Sequence, residues 1–355
     1  MKMNNKSANG RMINRILLFT LIVLAATFNA KPAAAQDLHF SQFTESPLTL
    51  NPALCGSFQG TVLASINYRS QWSSVMGGGA GFNTMGATVE FQNLVKKWKK
   101  GYLSPGILFY NDKSGDAKMG TTEVALNMAC GIMLNSKNTV AIGIQGAWAQ
   151  RSMNTAGLQW GEQFVGDDYD PNAPTGEPTF GNSFSYMDFS AGANYQYSSG
   201  QVGMTTNNES KADVGFAVYH INQPDISFYG SSVNGTLLYM RYDIHGSLEL
   251  GIRGSYLTVI PGFVYYSQGP SQELNTGIKL RYYVMQDESR YTGIKKGGNA
   301  FDMGIYYRWN DAVIIMLGMK VRDYCIGISY DENVSQLNVA SSGRGAIELS
   351  LKYIK

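Results

Sequence analysis

The chain has 355 residues, with 28 Lys and Arg against 26 Asp and Glu, a formal charge of +2. That near balance excludes the basic footprint of a nucleic-acid-binding protein. Aromatics make up 12% of the chain, with 22 Tyr and 40 Gly; a mean hydropathy of −0.16 argues against a helical membrane protein. It suits a barrel, in which only every second residue faces lipid.

Residues 1–35 read as a secretory signal. Lys2, Lys6, Arg11 and Arg15 supply the basic region, Ile16 to Ala26 the apolar core, and Ala33-Ala34-Ala35 the small residues before a new N-terminus at Gln36. The apolar run falls short of the roughly 18–20 residues that a spanning helix needs. Removing 1–35 takes away five basic and no acidic groups, leaving a net charge of about −3. The odd number of cysteines, Cys55, Cys130 and Cys325, cannot form a full disulfide framework, and their spacing excludes a compact zinc motif. They read as packing residues.

Residues 36–58 form an N-terminal segment with two prolines and no clean period. From 59 to 355 the chain alternates. Val124, Leu126, Met128, Cys130, Ile132 and Leu134 share one face of a strand; Ile347, Leu349, Leu351 and Tyr353 share a face of the last. The alternation predicts strands near 60–69, 80–92, 102–112, 120–134, 138–151, 185–198, 212–221, 240–252, 255–267, 272–286, 299–310, 312–321, 323–332 and 344–354. Asn135 to Asn138, Asn310-Asp311 and Arg322-Asp323 read as tight turns. About fourteen strands joined this way form an all-β, transmembrane, antiparallel up-and-down β-barrel of the outer membrane, closed because lipid does not tolerate open edges. A lipid-facing charge costs roughly 2–4 kcal/mol near the midplane. Arg69, Glu90, Asp188, Glu249, Arg253, Lys279, Arg281, Arg308, Glu348 and Lys352 are therefore expected in the lumen, bracing it if paired and lining a wet pore if not. A soluble sandwich or lipocalin-like barrel would show the same period with its apolar face inside.

Two stretches break the meander, the N-terminal segment and the long loop 152–184. The loop carries an oxygen-rich run in which Asp168, Asp170 and Asn172 alternate, a pattern of some calcium loops and also of solvated acidic loops. Lys96-Lys97-Trp98-Lys99-Lys100 reads either as an anchor to anionic lipid or as a solvated turn. The three histidines, His39, His220 and His245, have no metal spacing. There is no nucleophile elbow, and Gly77-Gly78-Gly79 precedes a strand rather than a helix. Neither catalytic, cofactor nor metal residues are expected.

The mature N-terminus carries Phe40-Ser41-Gln42, Pro47, Asn51-Pro52-Ala53, Gly56, Asn67-Tyr68-Arg69 and Gln71-Trp72. Downstream stand Val218 to Asp225, Tyr324 to Asp331, Leu337 and Gly345 to Tyr353. This pattern resembles the PorP/SprF family of outer-membrane proteins of the type IX secretion and gliding machinery over essentially the whole mature chain, with Cys55 where alanine is expected. The resemblance implies a 14-stranded barrel without enzymatic activity that delivers or retains cargo at the cell surface. Implied partners are periplasmic ring proteins and the cargo or its C-terminal sorting domain, the cargo often being large adhesins, including gliding adhesins. With the motif positions that the resemblance marks, Phe40, Gln42, Phe43, Pro47, Asn51, Pro52 and Gly56 are the candidate plug or partner-docking residues. Phe40, Phe43, Leu48 and Leu50 are its apolar anchors, and the segment either folds into the periplasmic mouth as a plug, docks on a partner, or is a simple lead-in whose prolines set the chain's entry angle. The competing function is a porin or solute channel.

Overall fold

The fold is described from a computed structural model over residues 37, 39–73, 81–92, 100–155, 158–165, 168–176, 182–199, 209–228, 237–253, 255–284, 287–288, 295–296, 299–336 and 338–355. The expected signal peptide, Lys96–Lys99 of the basic cluster, the triple glycine at 77–79 and Gly166-Asp167 lie outside these residues.

The alternating segments form fourteen strands: β1 Val62–Gln71, β2 Phe82–Phe91, β3 Gly101–Ser114, β4 Met119–Met133, β5 Asn138–Ser152, β6 Ser183–Ser198, β7 Ser210–Tyr219, β8 Arg241–Gly251, β9 Leu257–Gln268, β10 Ser271–Tyr283, β11 Ala300–Arg308, β12 Ala312–Val321, β13 Tyr324–Asn333 and β14 Arg344–Ile354. Each pairs antiparallel with its neighbours in the chain. β1 closes on β14 in a register running from Leu63↔Ile354 to Gln71↔Ala346, so the sheet is a closed barrel. Each strand falls on a segment that the alternation marks, with ends displaced by a few residues. Two-residue hairpins at Gly269-Pro270 and Arg322-Asp323 use a left-handed first residue, with φ of 54° and 55°, the geometry that matches strand twist.

The barrel is apolar outside and polar inside, which excludes the lipocalin-like alternative. Leu126, Ile144, Ile305, Ile315 and Leu349 stand exposed on its outer wall, whereas Asn67, Arg69, Glu90, Asn127, Asp243, Asn275, Arg308, Asp331 and Glu348 are buried within it. Aromatics collect towards the strand ends: Tyr68, Phe109, Trp148, Tyr242 and Trp309 at one, Phe91, Tyr195, Tyr256, Tyr282 and Tyr324 at the other. These are the positions of interfacial girdles. Arg253 departs from expectation. β8 ends at Gly251, so Arg253 lies exposed in the following turn and not in the lumen. Of the free cysteines, Cys55 is buried inside the barrel, Cys130 lies on the outer apolar face, and Cys325 borders the lumen.

The two mouths differ. One carries the two longest connections, 153–182 and 220–240; the other carries the strand ends Val62 and Ile354 and no connection longer than that at 284–299. Long loops face the cell exterior and short turns the periplasm, so these are the outer and periplasmic mouths.

Candidate functional site in the barrel lumen

The chain between Asp37 and Ser57 does not join the sheet. It makes three short turns: a 3₁₀ turn at Phe43–Glu45, a helical turn at Pro47–Leu50 and a second 3₁₀ turn at Pro52–Leu54. Pro47 and Pro52 open the latter two, where their fixed φ suits a first helical position. Asn51 caps the third turn by accepting the Ala53 N–H at 2.8 Å. At Gly56 the chain turns with φ of 75°, and a Cβ there would overlap Ser104. Both facts require glycine.

The segment runs the length of the lumen. At the outer mouth, Asp37 pairs with His220 just beyond β7, lies 3.6 Å from Arg241 at the start of β8, and donates its N–H to Gln268 at the end of β9. At the periplasmic mouth, the Gly56 N–H donates to Glu90 at 3.0 Å, Ser57 meets Gln196, and the Phe58 carbonyl accepts from Gln92. The segment thus reaches well beyond the periplasmic mouth, where one of the expectations from sequence set it. The reason is electrostatic: the carboxylates and guanidiniums that receive residues 37–42 lie in the outer half of the barrel.

Charges hold the backbone there. Glu348 accepts the N–H groups of Ser41 and Gln42 at 2.7 and 3.0 Å. The Ser41 hydroxyl donates to Asp331 at 2.7 Å and accepts from Arg69 and Arg308 at 2.9 and 2.7 Å. Both arginines also pair with Asp331, and Arg308 reaches Glu273 at 3.3 Å. Strands β1, β11, β13 and β14 are joined through one serine, and Arg308 extends the network to β10. Burial works against a charged His220, but Asp37 and Asp188 outweigh it and raise its pKa to about 10. Burial also opposes a charged Asp37, but the His220 and Arg241 charges hold its carboxyl well below the usual range.

The wall is shaped to the segment. Asn51, fully buried, donates to the carbonyls of Ala193 and Phe216 at 3.0 and 3.4 Å and lies 3.1 Å from His245 Nε2. His245 in turn sits 3.3 Å from Asp213. Lumen-facing glycines leave the room: a Cβ on Gly143 would overlap the Pro52-Ala53 backbone, one on Gly192 the Asn51 amide, and one on Gly327 the Gln42 amide. Phe43 packs edge-on against Tyr306 at 5.6 Å, beside Leu50, Val264, Ile314 and Met316. Leu48 and Cys55 pack with Leu108, Ala125, Ala129 and Ala147. Burial beside Glu90 pushes the Cys55 thiol up, which keeps it protonated and fits its packing role.

Beneath the segment, a vestibule of about 660 Å³ lies in the periplasmic half of the lumen. Glu45 projects into it from the first turn and is held by Lys279 of β10 at 3.3 Å and Lys352 of β14 at 2.7 Å. Burial raises the Glu45 pKa, but the two ammoniums outweigh this and hold it well below the carboxylate range. Arg281 forms a paired contact with Asp302, both bonds 2.8 Å.

Among the residues expected from sequence, Phe40, Gln42, Phe43, Asn51, Pro52 and Gly56 are buried inside the barrel, and Pro47 is half-buried. Of the expected lumen charges, Arg69, Glu90, Asp188, Lys279, Arg281, Arg308, Glu348 and Lys352 face inwards and bond to the segment or to other groups of the wall. Sequence reasoning missed Glu45, His245, Asp331 and the wall glycines. The lumen-facing glycines at 143, 192 and 327 were the available signal: bare wall on β5, β6 and β13 implies something lying on it. In the acidic run, Asp170 accepts the Asn172 N–H at 2.9 Å and Asp168–Tyr169 pairs with Phe164–Val165, a short hairpin in the outer loop.

Solved structures match this chain only at low identity and low TM-score. BamA from Haemophilus ducreyi lacking POTRA domains 1–3 aligns over 83% of this chain and 70% of its own, at 8% identity and a TM-score of 0.41. A TodX monoaromatic hydrocarbon channel mutant aligns over 87% and 93%, at 11% identity and 0.48. CdiB from Acinetobacter baumannii aligns over 83% and 60%, at 6% identity and 0.44. No curated protein matches the sequence. The family model described as type IX secretion system membrane protein PorP/SprF matches residues 33–353, nearly all of the chain with its N-terminal segment and all fourteen strands. The chain therefore belongs to the PorP/SprF family of type IX secretion, and it is an outer-membrane β-barrel.

Proposed function

We propose that this barrel is a non-enzymatic scaffold that helps deliver or anchor type IX cargo at the cell surface, and that the N-terminal segment is its plug. The observation that carries the reading is the seating of residues 39–56 across the whole lumen, bonded to strands on opposite walls. A diffusion porin needs a continuous water path; a lumen crossed by its own chain suits a protein that presents surfaces to partners. In this reading the partners are components of the secretion machinery, including periplasmic ring proteins, and the cargo or its C-terminal sorting domain.

The test has two arms. Deleting residues 38–55 should leave outer-membrane insertion intact and stop surface display of secreted cargo. Gly143→Val keeps the whole chain and only pushes the segment off the wall at Pro52-Ala53; it should impair display in the same direction. Normal display in both variants overturns the scaffold reading. In planar bilayers the wild type should stay closed, and a steady open pore would favour the porin.

A further inference from the structure

On the lipid face of β9–β12, towards the periplasmic mouth, the apolar wall is recessed over about 350 Å³. We propose that this recess binds one anionic phospholipid of the periplasmic leaflet, with an acyl chain in the recess and the phosphate held at the rim by Arg253 and Arg322.

The recess follows from the strand register. Leu280, Met303 and Leu317 pair in one row across β10, β11 and β12. Leu257, Tyr282 and Phe301 pair in the next row across β9, β10 and β11. Between the rows Asp302 stands opposite Gly318. Alternation turns the Asp302 side chain to the lumen, where it pairs with Arg281, and Gly318 has no side chain. The floor is therefore backbone. The walls are apolar and aromatic, with Leu280, Tyr282, Phe301, Met303 and Leu317 exposed on the lipid face. A recess built this way takes a hydrocarbon chain, and its volume lies within the usual range for ligand sites, roughly 300–1,000 Å³. Leu257 opens β9, and Tyr282 and Phe301 lie one residue from the ends of β10 and β11. The recess therefore reaches the headgroup level of the periplasmic leaflet.

A second, independent observation supplies the headgroup site. Arg253 stands in the turn before β9 and Arg322 in the turn after β12, so they flank the recess from strands roughly 15 Å apart. Arg322 is tied beneath it: its backbone N–H donates at 3.2 Å to the side chain of Asn299, just before β11. Both arginines are exposed, and among the described residues neither has an ion-pair partner. The nearest acidic residue in sequence is Asp323, also exposed. A guanidinium presents a fork of N–H donors that matches a phosphate, and its apolar stem lies comfortably along the interface. Tyr256 and Tyr282 meet edge-on at 6.4 Å at the same rim, rings of the kind that sit at headgroup level. A zwitterionic headgroup brings its own cation to the phosphate. An anionic one leaves the phosphate to the arginines, which is why the site selects it. The inference does not depend on the scaffold reading, since it concerns the outer wall whatever the barrel delivers.

The experiment uses the full-length protein in detergent, stripped of lipid by detergent exchange. Native mass spectrometry then follows titration with palmitoyl-oleoyl phosphatidylglycerol or with phosphatidylcholine of the same chains. The first phosphatidylglycerol should bind the wild type about thirtyfold tighter than the first phosphatidylcholine, the worth of roughly two basic contacts to an anionic headgroup. In the double variant Arg253→Gln, Arg322→Gln this preference should vanish. The double variant Lys137→Gln, Lys355→Gln removes the same charge elsewhere on the periplasmic rim and should keep it. Met303→Trp fills the recess from the lipid side. It should weaken both lipids about tenfold, the worth of roughly two buried methylenes, while keeping its heat-modifiable barrel band. Equal affinity for the two lipids in the wild type, preference retained by the arginine variant, preference lost in the lysine variant, or unchanged binding in Met303→Trp each overturns the proposal. So does glycerol phosphate that binds as tightly as the lipid, or displacement of phosphatidylglycerol by tetraglutamate, which would make an acidic protein segment the occupant.

Discussion

At the scale of single residues, the plug is held by polar atoms whose loss leaves a partner stranded. Asn51 is the clearest case. Its amide serves two strand carbonyls, His245 and its own turn, and replacement by alanine orphans several buried groups at once. Each unmade bond costs about 1–3 kcal/mol. Asn51→Ala should lower the temperature at which the folded, heat-modifiable band disappears, with Leu48→Val, a smaller packing defect in the same segment, as the milder comparison. A second residue-scale prediction concerns pH at the outer mouth. His220, raised from 6.5 to about 10 by Asp37 and Asp188, contributes stability that is complete below about pH 6.5 and falls as pH rises through 10. Asp37, whose pKa is lowered, contributes above its unfolded value, near 4, and loses that contribution only in strong acid. The clamp is therefore strongest in mildly acid solution and loosens towards alkali. Protease cleavage near Asp37 should rise between pH 7 and 10.5 in the wild type and stay flat in His220→Ala; loosening on mild acidification would contradict the assignment.

At the scale of elements, the strands were readable and the plug's position was not. Alternation is a local property: Val124 to Cys130 show period two whatever lies across the barrel, and turn residues such as Asn310 and Gly269 mark where it stops. The charged faces were readable for the same reason, since Glu348 and Lys352 have nowhere to go but inwards on a strand whose other face is Leu349 and Leu351. The path of residues 37–56 is fixed by contacts hundreds of positions away, Ser41 to Glu348 or Asn51 to His245, and carries no period. Three turns, each of three or four residues, are too short to be stable alone; they take their shape from the wall. Arg253 was misplaced because a charge beside a strand end looks the same in sequence as a charge within it. Glu45 was overlooked because a lone acidic residue in a polar stretch has no pattern, and only Lys279 and Lys352 give it meaning.

At the scale of the whole molecule, the barrel solves two solvation problems with one alternation. Its outer wall satisfies lipid, and its inner wall would carry buried charge at high cost were the charges not cross-paired. The plug completes that pairing: without it Glu348 and the Ser41-centred arginines lose partners. The direction in which the plug runs has an additional consequence. The strands begin and end at the periplasmic mouth, whereas Asp37 lies at the outer one. The polypeptide therefore enters the sheet from inside its own lumen. A short epitope inserted between Gln36 and Asp37 should be reached by antibody on intact cells, and one appended after Lys355 only after the outer membrane is permeabilised. The reverse pattern would invert the barrel in the membrane. Asp37 is thus an address at the outward-facing opening, on a protein whose first strand begins at the periplasmic side.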